Sequence, residues 1–128
     1  MMILMDKVRD ADYFIFTAPI FYNDIAGHSK MFLDRFGSLG NDINLEMKEK
    51  KSLLMITHFS DYINDFVIKN THRVIVSANF KVNKILDIGG LLTKRFTEDE
   101  LESFEDIGYE LEDYEVIPHE LDLDSATV

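Results

Sequence analysis

Cysteine is absent from this 128-residue chain. Its absence excludes disulfides, thiolate metal sites, cysteine-ligated iron–sulfur clusters and a cysteine nucleophile, and it fits a reducing compartment. Proline occurs twice, at Pro19 and Pro118, and no repeat or low-complexity stretch marks a linker, so residues 1–128 read as a single domain. No apolar run approaches the roughly 18 residues of a membrane span. Residues 1–5 lead into Asp6 rather than into the apolar region of a signal peptide. A cytoplasmic protein with no membrane partner is therefore expected.

Basic residues are missing from the last quarter. Residues 1–97 hold 13 Lys/Arg and 11 Asp/Glu, whereas residues 98–128 hold 13 Asp/Glu and no Lys or Arg. The net charge of −11 thus belongs to an acidic C-terminal helix and tail beginning at about residue 98, behind a near-neutral body. Without a basic stripe there is no footprint for phosphates, and nucleic acid is not expected as a partner. The tail reads either as a solvated helix face with a frayed end or as a docking surface for a basic partner.

What is present is 46% hydrophobic, enough for an ordered core. Residues 13–18 form an aromatic and β-branched run that stops at Pro19, residues 52–57 have the same character, and residues 84–88 form a weaker run ended by Gly89 and Gly90. Continuous apolar runs of this kind suit strands buried on both faces of a parallel sheet. Helical patterns separate them. Leu4 and Val8 share a face before the first run, and Phe32, Leu33 and Phe36 follow it. Ser60 can cap a helix carrying Ile63, Phe66, Val67, Val74 and Ala78 inward. Thr97-Glu98-Asp99-Glu100 is a capping-box signature, followed by Leu101, Phe104, Gly108 and Leu111 on one stripe. The alternation predicts a doubly wound α/β fold, with parallel strands near 13–18, 52–57 and 83–88 adjacent in that order and helices on both faces.

Ligands of open parallel sheets bind beyond the carboxyl ends of the strands, which directs attention to the loops after Ala18, Thr57 and Ile88. The first, Thr17-Ala18-Pro19-Ile20-Phe21-Tyr22-Asn23-Asp24, places two aromatics just past a proline turn. Such a loop either stacks a planar apolar ligand, with backbone N–H groups reaching its polar edge, or simply covers the top of the core. None of His28, His58, His72 and His119 has metal-binding spacing, and ordinary surface or core roles are expected for them. His58 stands out by its place at a strand's carboxyl end. Lys30 and Asp34 are spaced as an ordinary helix pair. No nucleophile elbow, Walker loop or dinucleotide fingerprint is present.

Residues 11–35, with Asp12 before an apolar strand, the Pro19 to Tyr22 turn and Ser29-Lys30-Met31-Phe32-Leu33-Asp34-Arg35 in the following helix, resemble the third strand, flavin loop and helix of NAD(P)H-dependent FMN reductases and related flavodoxin-like quinone reductases. The similarity continues through residues 51–57, 84–90 and 101–111 as the fourth strand, fifth strand and last helix. The resemblance implies a flavodoxin-like fold and hydride transfer from NAD(P)H through FMN to a quinone, a flavin or another small acceptor. It also implies that Ile20, Phe21, Tyr22 and Asn23 meet the isoalloxazine ring, with Thr17 and Pro19 shaping the loop and His58, Phe59 and Ser60 as a second wall. His58 would there contact a flavin edge or assist protonation of a reduced quinone.

The family's Ser/Thr/Gly-rich phosphate loop and two strands precede this motif, yet only 12 residues precede Tyr13. One βαβ unit takes about 30 residues. The expectation is an N-terminally truncated domain, holding the last three strands and binding FMN weakly or not at all. Its second loop also lacks the glycines that allow close backbone approach. An exposed first strand would then invite homo-oligomerisation. Two readings remain beside this one: a non-catalytic α/β interaction module or remnant, and a receiver-like domain, which would need paired aspartates after its first strand.

Overall fold

The computed structural model describes residues 2–22, 24–43, 51–60, 65–77, 80–91 and 95–118. In chain order the elements are α1 (Met2–Asp10), β1 (Tyr13–Phe21), β2 (Asp24–Ile25), α2 (Gly27–Ile43), β3 (Lys51–Thr57), α3 (Asp65–Ser77), β4 (Lys81–Ile88) and α4 (Glu98–Glu110). They build an α/β structure around an open sheet of order β2-β1-β3-β4. The three long strands are parallel and adjacent as the apolar runs predict. The short β2 was not legible; it folds back antiparallel on the end of β1, pairing Ile20 with Ile25 and Phe21 with Asp24.

Two cores lie on the two faces of the sheet. On one face Phe16, Ala18, Leu54, Ile56, Val82 and Ile85 meet Val8 of α1, Leu33 and Phe36 of α2, and Val67, Ile68 and Ile75 of α3. Phe14, Phe16, Phe32, Phe36 and Phe80 stack there as one aromatic cluster, the Phe14 and Phe80 rings 4.3 Å apart. On the other face Leu53 and Leu86 meet Ile107 and Leu111 of α4 and its continuation, flanked by Met55, Ile88, Phe104 and Tyr114.

Three expectations need correction. β1 does not stop at Pro19 and is not buried on both faces. It runs on to Phe21 and alternates, with Phe16 and Ala18 buried while Tyr13, Ile15, Thr17, Pro19 and Phe21 are exposed, because α4 covers β3 and β4 and leaves this half of β1 open. Pro19 is tolerated inside the strand because its carbonyl accepts from Ala26 N, 2.9 Å, on the β2 side. Its missing N–H therefore also faces away from β3, where no ladder bond is lost.

In α3 the inward stripe is Val67, Ile68, Thr71, His72 and Ile75, and Phe66 stands 67% exposed. Ile63 and Ala78 lie outside the described residues. In α4 the Thr97 cap and its reciprocal Glu100 bond form as expected, but Ile107 and Leu111 carry the contact while Leu101 is 54% exposed and Gly108 faces solvent.

β4 carries a bulge. Ser52 pairs with Val82 and Leu53 with Lys84, so Asn83 is the extra residue. Its buried side chain replaces the interrupted ladder: Oδ1 accepts from Ser52 N, 3.0 Å, and Nδ2 donates to Tyr114 O, 3.0 Å. Ile117 N then donates to Val82 O at 2.8 Å, laying the segment after α4 along the outer edge of β4. Asn83→Leu removes both side-chain bonds and leaves a buried N–H and a carbonyl unpaired, at about 1–3 kcal/mol for each group. Urea denaturation should show that loss with the native fold otherwise retained.

At the start of β1 the Tyr13 hydroxyl donates to Glu112. That bond to a carboxylate, helped by the negative charges of Glu112 and Asp12, raises the Tyr13 pKa above the ordinary 10.0. The phenol is thus favoured in the folded state, and the stabilisation is complete below pH 10 and lost as pH rises through the raised value. Absorbance titration should find Tyr13 ionising later than an exposed tyrosine, and Glu112→Ala should bring it down.

Candidate functional site at the carboxyl ends of the strands

β1 and β3 end side by side, Pro19 in register with Thr57, and their following residues form a narrow cleft. Pro19 and Ile20 line one side, and Thr57, His58, Phe59 and Leu91 the other, around a cavity of about 20 Å³. Four of the residues singled out in the sequence are thereby brought together: Pro19, Ile20, His58 and Phe59. Because Pro19 turns its main-chain groups toward β2, strand alternation turns those of Ile20 toward β3, where the pairing of Pro19 with Thr57 takes up the Ile20 N–H.

The remaining candidates surround the cleft or stand apart from it. Thr17 is exposed on the open face of β1 and does not line the cleft. Phe21 is 51% exposed, and Tyr22 projects fully into solvent at the hairpin tip. Asn23 lies outside the described residues. Ser60 is exposed, and its carbonyl accepts from Gly90 N and meets the His58 ring.

Phe21 and Asp24 are partners, so Tyr22 stands in the tight connection between β1 and β2. Such hairpins require left-handed backbone, and Tyr22 has φ 50. A side chain pays about 1–2 kcal/mol for that conformation. The loop therefore holds an aromatic residue where glycine would be easier.

His58 is 6% exposed and held from both sides. Nε2 lies 2.5 Å from Asp87 Oδ1, and Nδ1 lies 2.7 Å from Ser60 O. Around it His58 N donates to Ile88 O, Gly90 N to Ser60 O and Leu91 N to His58 O. A Cβ on Gly89 would sit 2.4 Å from His58 Cε1, and Gly90 has φ 68, so the two glycines are needed for close approach and for the turn. Each ring nitrogen lies within hydrogen-bond distance of an oxygen, and the ring meets the cleft as a wall.

On the far side of Asp87 lies a larger cavity of about 190 Å³, lined by Leu86, Asp87, Ile88, Gly89, Glu100, Ser103 and Phe104. Sequence reasoning did not single out Asp87 or Ser103, and it read Glu100 only as part of a helix cap. The signal available was Gly89-Gly90 after the third parallel strand, which marks close backbone approach as well as a turn. Among the described residues no group of three or more His, Asp or Glu is placed to hold a metal ion, and no helix is long and apolar enough to cross a membrane.

FMN fits these residues in one half only. Enclosing ligand pockets start at about 300 Å³, so neither cavity takes a tricyclic ring, but the apolar shelf of Pro19, Ile20 and Phe59 beside Tyr22 can receive a ring laid across its surface. The phosphate does not fit. Among the described residues Asp24 and Asp87 stand at the strand ends and Glu100 of α4 lines the larger cavity, so the nearby side-chain charge is negative. No protein-family model matches the chain, and no curated protein matches it in sequence.

Two substitutions test the two turns. Tyr22→Gly should raise stability by about 0.5–1 kcal/mol after glycine's greater unfolded freedom is subtracted. Gly89→Ala should lower it by about 1–3 kcal/mol by displacing the His58 ring. Both are read from denaturation midpoints.

Proposed function

We propose that this chain is a flavodoxin-like α/β protein of the NAD(P)H-dependent FMN oxidoreductase kind, supplying the surface that meets the isoalloxazine ring. The observation that carries the reading is the meeting of Pro19 and Ile20 with His58 and Phe59 at adjacent parallel strand ends. When bound, FMN supplies the redox chemistry, accepting hydride from NAD(P)H and passing electrons to a quinone, a flavin or another small acceptor. The chain's own residues have a positioning role. Tyr22 and Phe59 offer aromatic faces, Pro19 and Ile20 offer an apolar shelf, and the Asp87–His58–Ser60 link holds the second wall in place.

The poor fit to phosphate sets the affinity. Two charge-assisted hydrogen bonds at about 1.5–3 kcal/mol each amount to a hundredfold or more in binding. Riboflavin and FMN should therefore bind this chain about equally and weakly, and Tyr22→Ala should weaken both, as followed by the visible absorption bands during titration. Nanomolar FMN binding, or a strong preference for FMN over riboflavin, would reveal a phosphate site and overturn this division. No spectral change with either flavin would overturn the ring surface itself. A second reading, a non-catalytic interaction module, is favoured by the open half of β1.

A further inference from the structure

We infer that two copies of this chain join along the outer edge of β1, antiparallel, with Ile15 opposite Ile15 of the second copy. The inference is independent of flavin binding. Among the described residues no strand pairs with that edge except β2, whose contact with β1 ends at the bond from Ala26 N to Pro19 O. Since Pro19 O faces β2, alternation points the N–H and C=O groups of Tyr13, Ile15 and Thr17 to the same outer side. Nothing there guards against pairing. The strand, YFIFTAPIF, contains no charge, and its proline lies at the far end. On the open face Ile15 is 59% exposed beside Tyr13 and Phe21.

The edge is self-complementary in one register. About a two-fold axis at Ile15, Ile15 meets its own copy and Tyr13 meets Thr17, so all three outward residues exchange main-chain bonds. Ile–Ile and aromatic–β-branched pairs are favourable across strands. Centring the axis on Phe16 would spend Tyr13 on Pro19, which has no N–H and whose carbonyl is taken by Ala26. Centring it on Phe14 would use Ala11, whose N–H is held by Lys7 O and Val8 O.

Charge favours a second copy at this edge rather than at the other. α4 carries seven acidic residues and no basic one, and packs over β3 and β4. The segment after it already lies along β4. Joining at β1 gives the order β4-β3-β1-β1-β3-β4 and keeps most of the two acidic helices toward opposite ends. Glu112, which reaches Tyr13, then faces the uncharged Thr17 of the second copy.

Sedimentation at roughly 50 μM, well above a micromolar Kd, should show a dimer. Ile15→Lys should make it monomeric with an unchanged circular dichroism spectrum, and Thr17→Pro, which deletes an outward N–H, should do the same. Because the chain has no cysteine, Ile15→Cys gives a single thiol. Opposed Cα atoms about 5.5 Å apart lie within disulfide range, so this variant should oxidise to a covalent dimer. Tyr13→Cys should not, its two copies being about 13 Å apart along the strands. A wild-type monomer, equal crosslinking of the two cysteine variants, or a dimer surviving both Ile15→Lys and Thr17→Pro would overturn the proposal. If Ile15→Lys fails to fold, the cysteine pair decides.

Discussion

The position of β1 depends on aromatic packing from one side. Phe14 and Phe16 project into the face where Phe32 and Phe36 of α2 and Phe80 at the start of β4 meet them. Five large rings at such a junction bury much of the apolar area that the strand has to offer, and aromatic pairs add about 0.5–1.5 kcal/mol beyond area alone. α4 packs too far toward β4 to cover the other side. The strand is consequently anchored firmly through its even-numbered residues while its odd-numbered residues remain available. The exposed row from Tyr13 to Phe21 follows from that one-sided anchoring.

The carboxyl end of the sheet is arranged around a polar link of a kind that packing alone would not produce. The His58 imidazole bridges a carboxylate on β4 and a carbonyl in its own loop, tying the ends of two parallel strands across the space where a ligand would approach. The small cleft and the larger cavity lie on opposite sides of this bridge. The Ser60 carbonyl meets both the His58 ring and the Gly90 amide, and Gly89 and Gly90 make the turn that aims it feasible.

Period and composition were enough to read the parallel strands and their order, because the apolar runs at 13–18, 52–57 and 84–88 have few other ways to be buried. The capping box at Thr97 was equally legible, being a local hydrogen-bond pattern. What could not be read was which apolar faces acquire a partner. Ile15 and Phe66 look like core residues in sequence, yet their exposure is decided by where α4 lies and by a phase shift in α3. β2 was invisible because two residues carry no period. At the candidate site, strand-end logic pointed to the loop of Pro19 and Ile20 and to His58, and the family resemblance added Phe59, whereas Asp87 was missed because its role exists only through the distant His58.

The bulge at Asn83 ties the folding of distant segments together. Its side chain is bonded at once to the amide of Ser52, at the start of β3, and to the carbonyl of Tyr114, beyond α4. A carboxamide can satisfy both only when the strand pair and the C-terminal segment are in place together, so undocking that segment releases the clamp on the sheet. The Ser52 amide is therefore a built-in reporter. Its hydrogen exchange follows the attachment of residues 111–117, although it sits in a different element, and the sheet and its last helix should open as one cooperative unit.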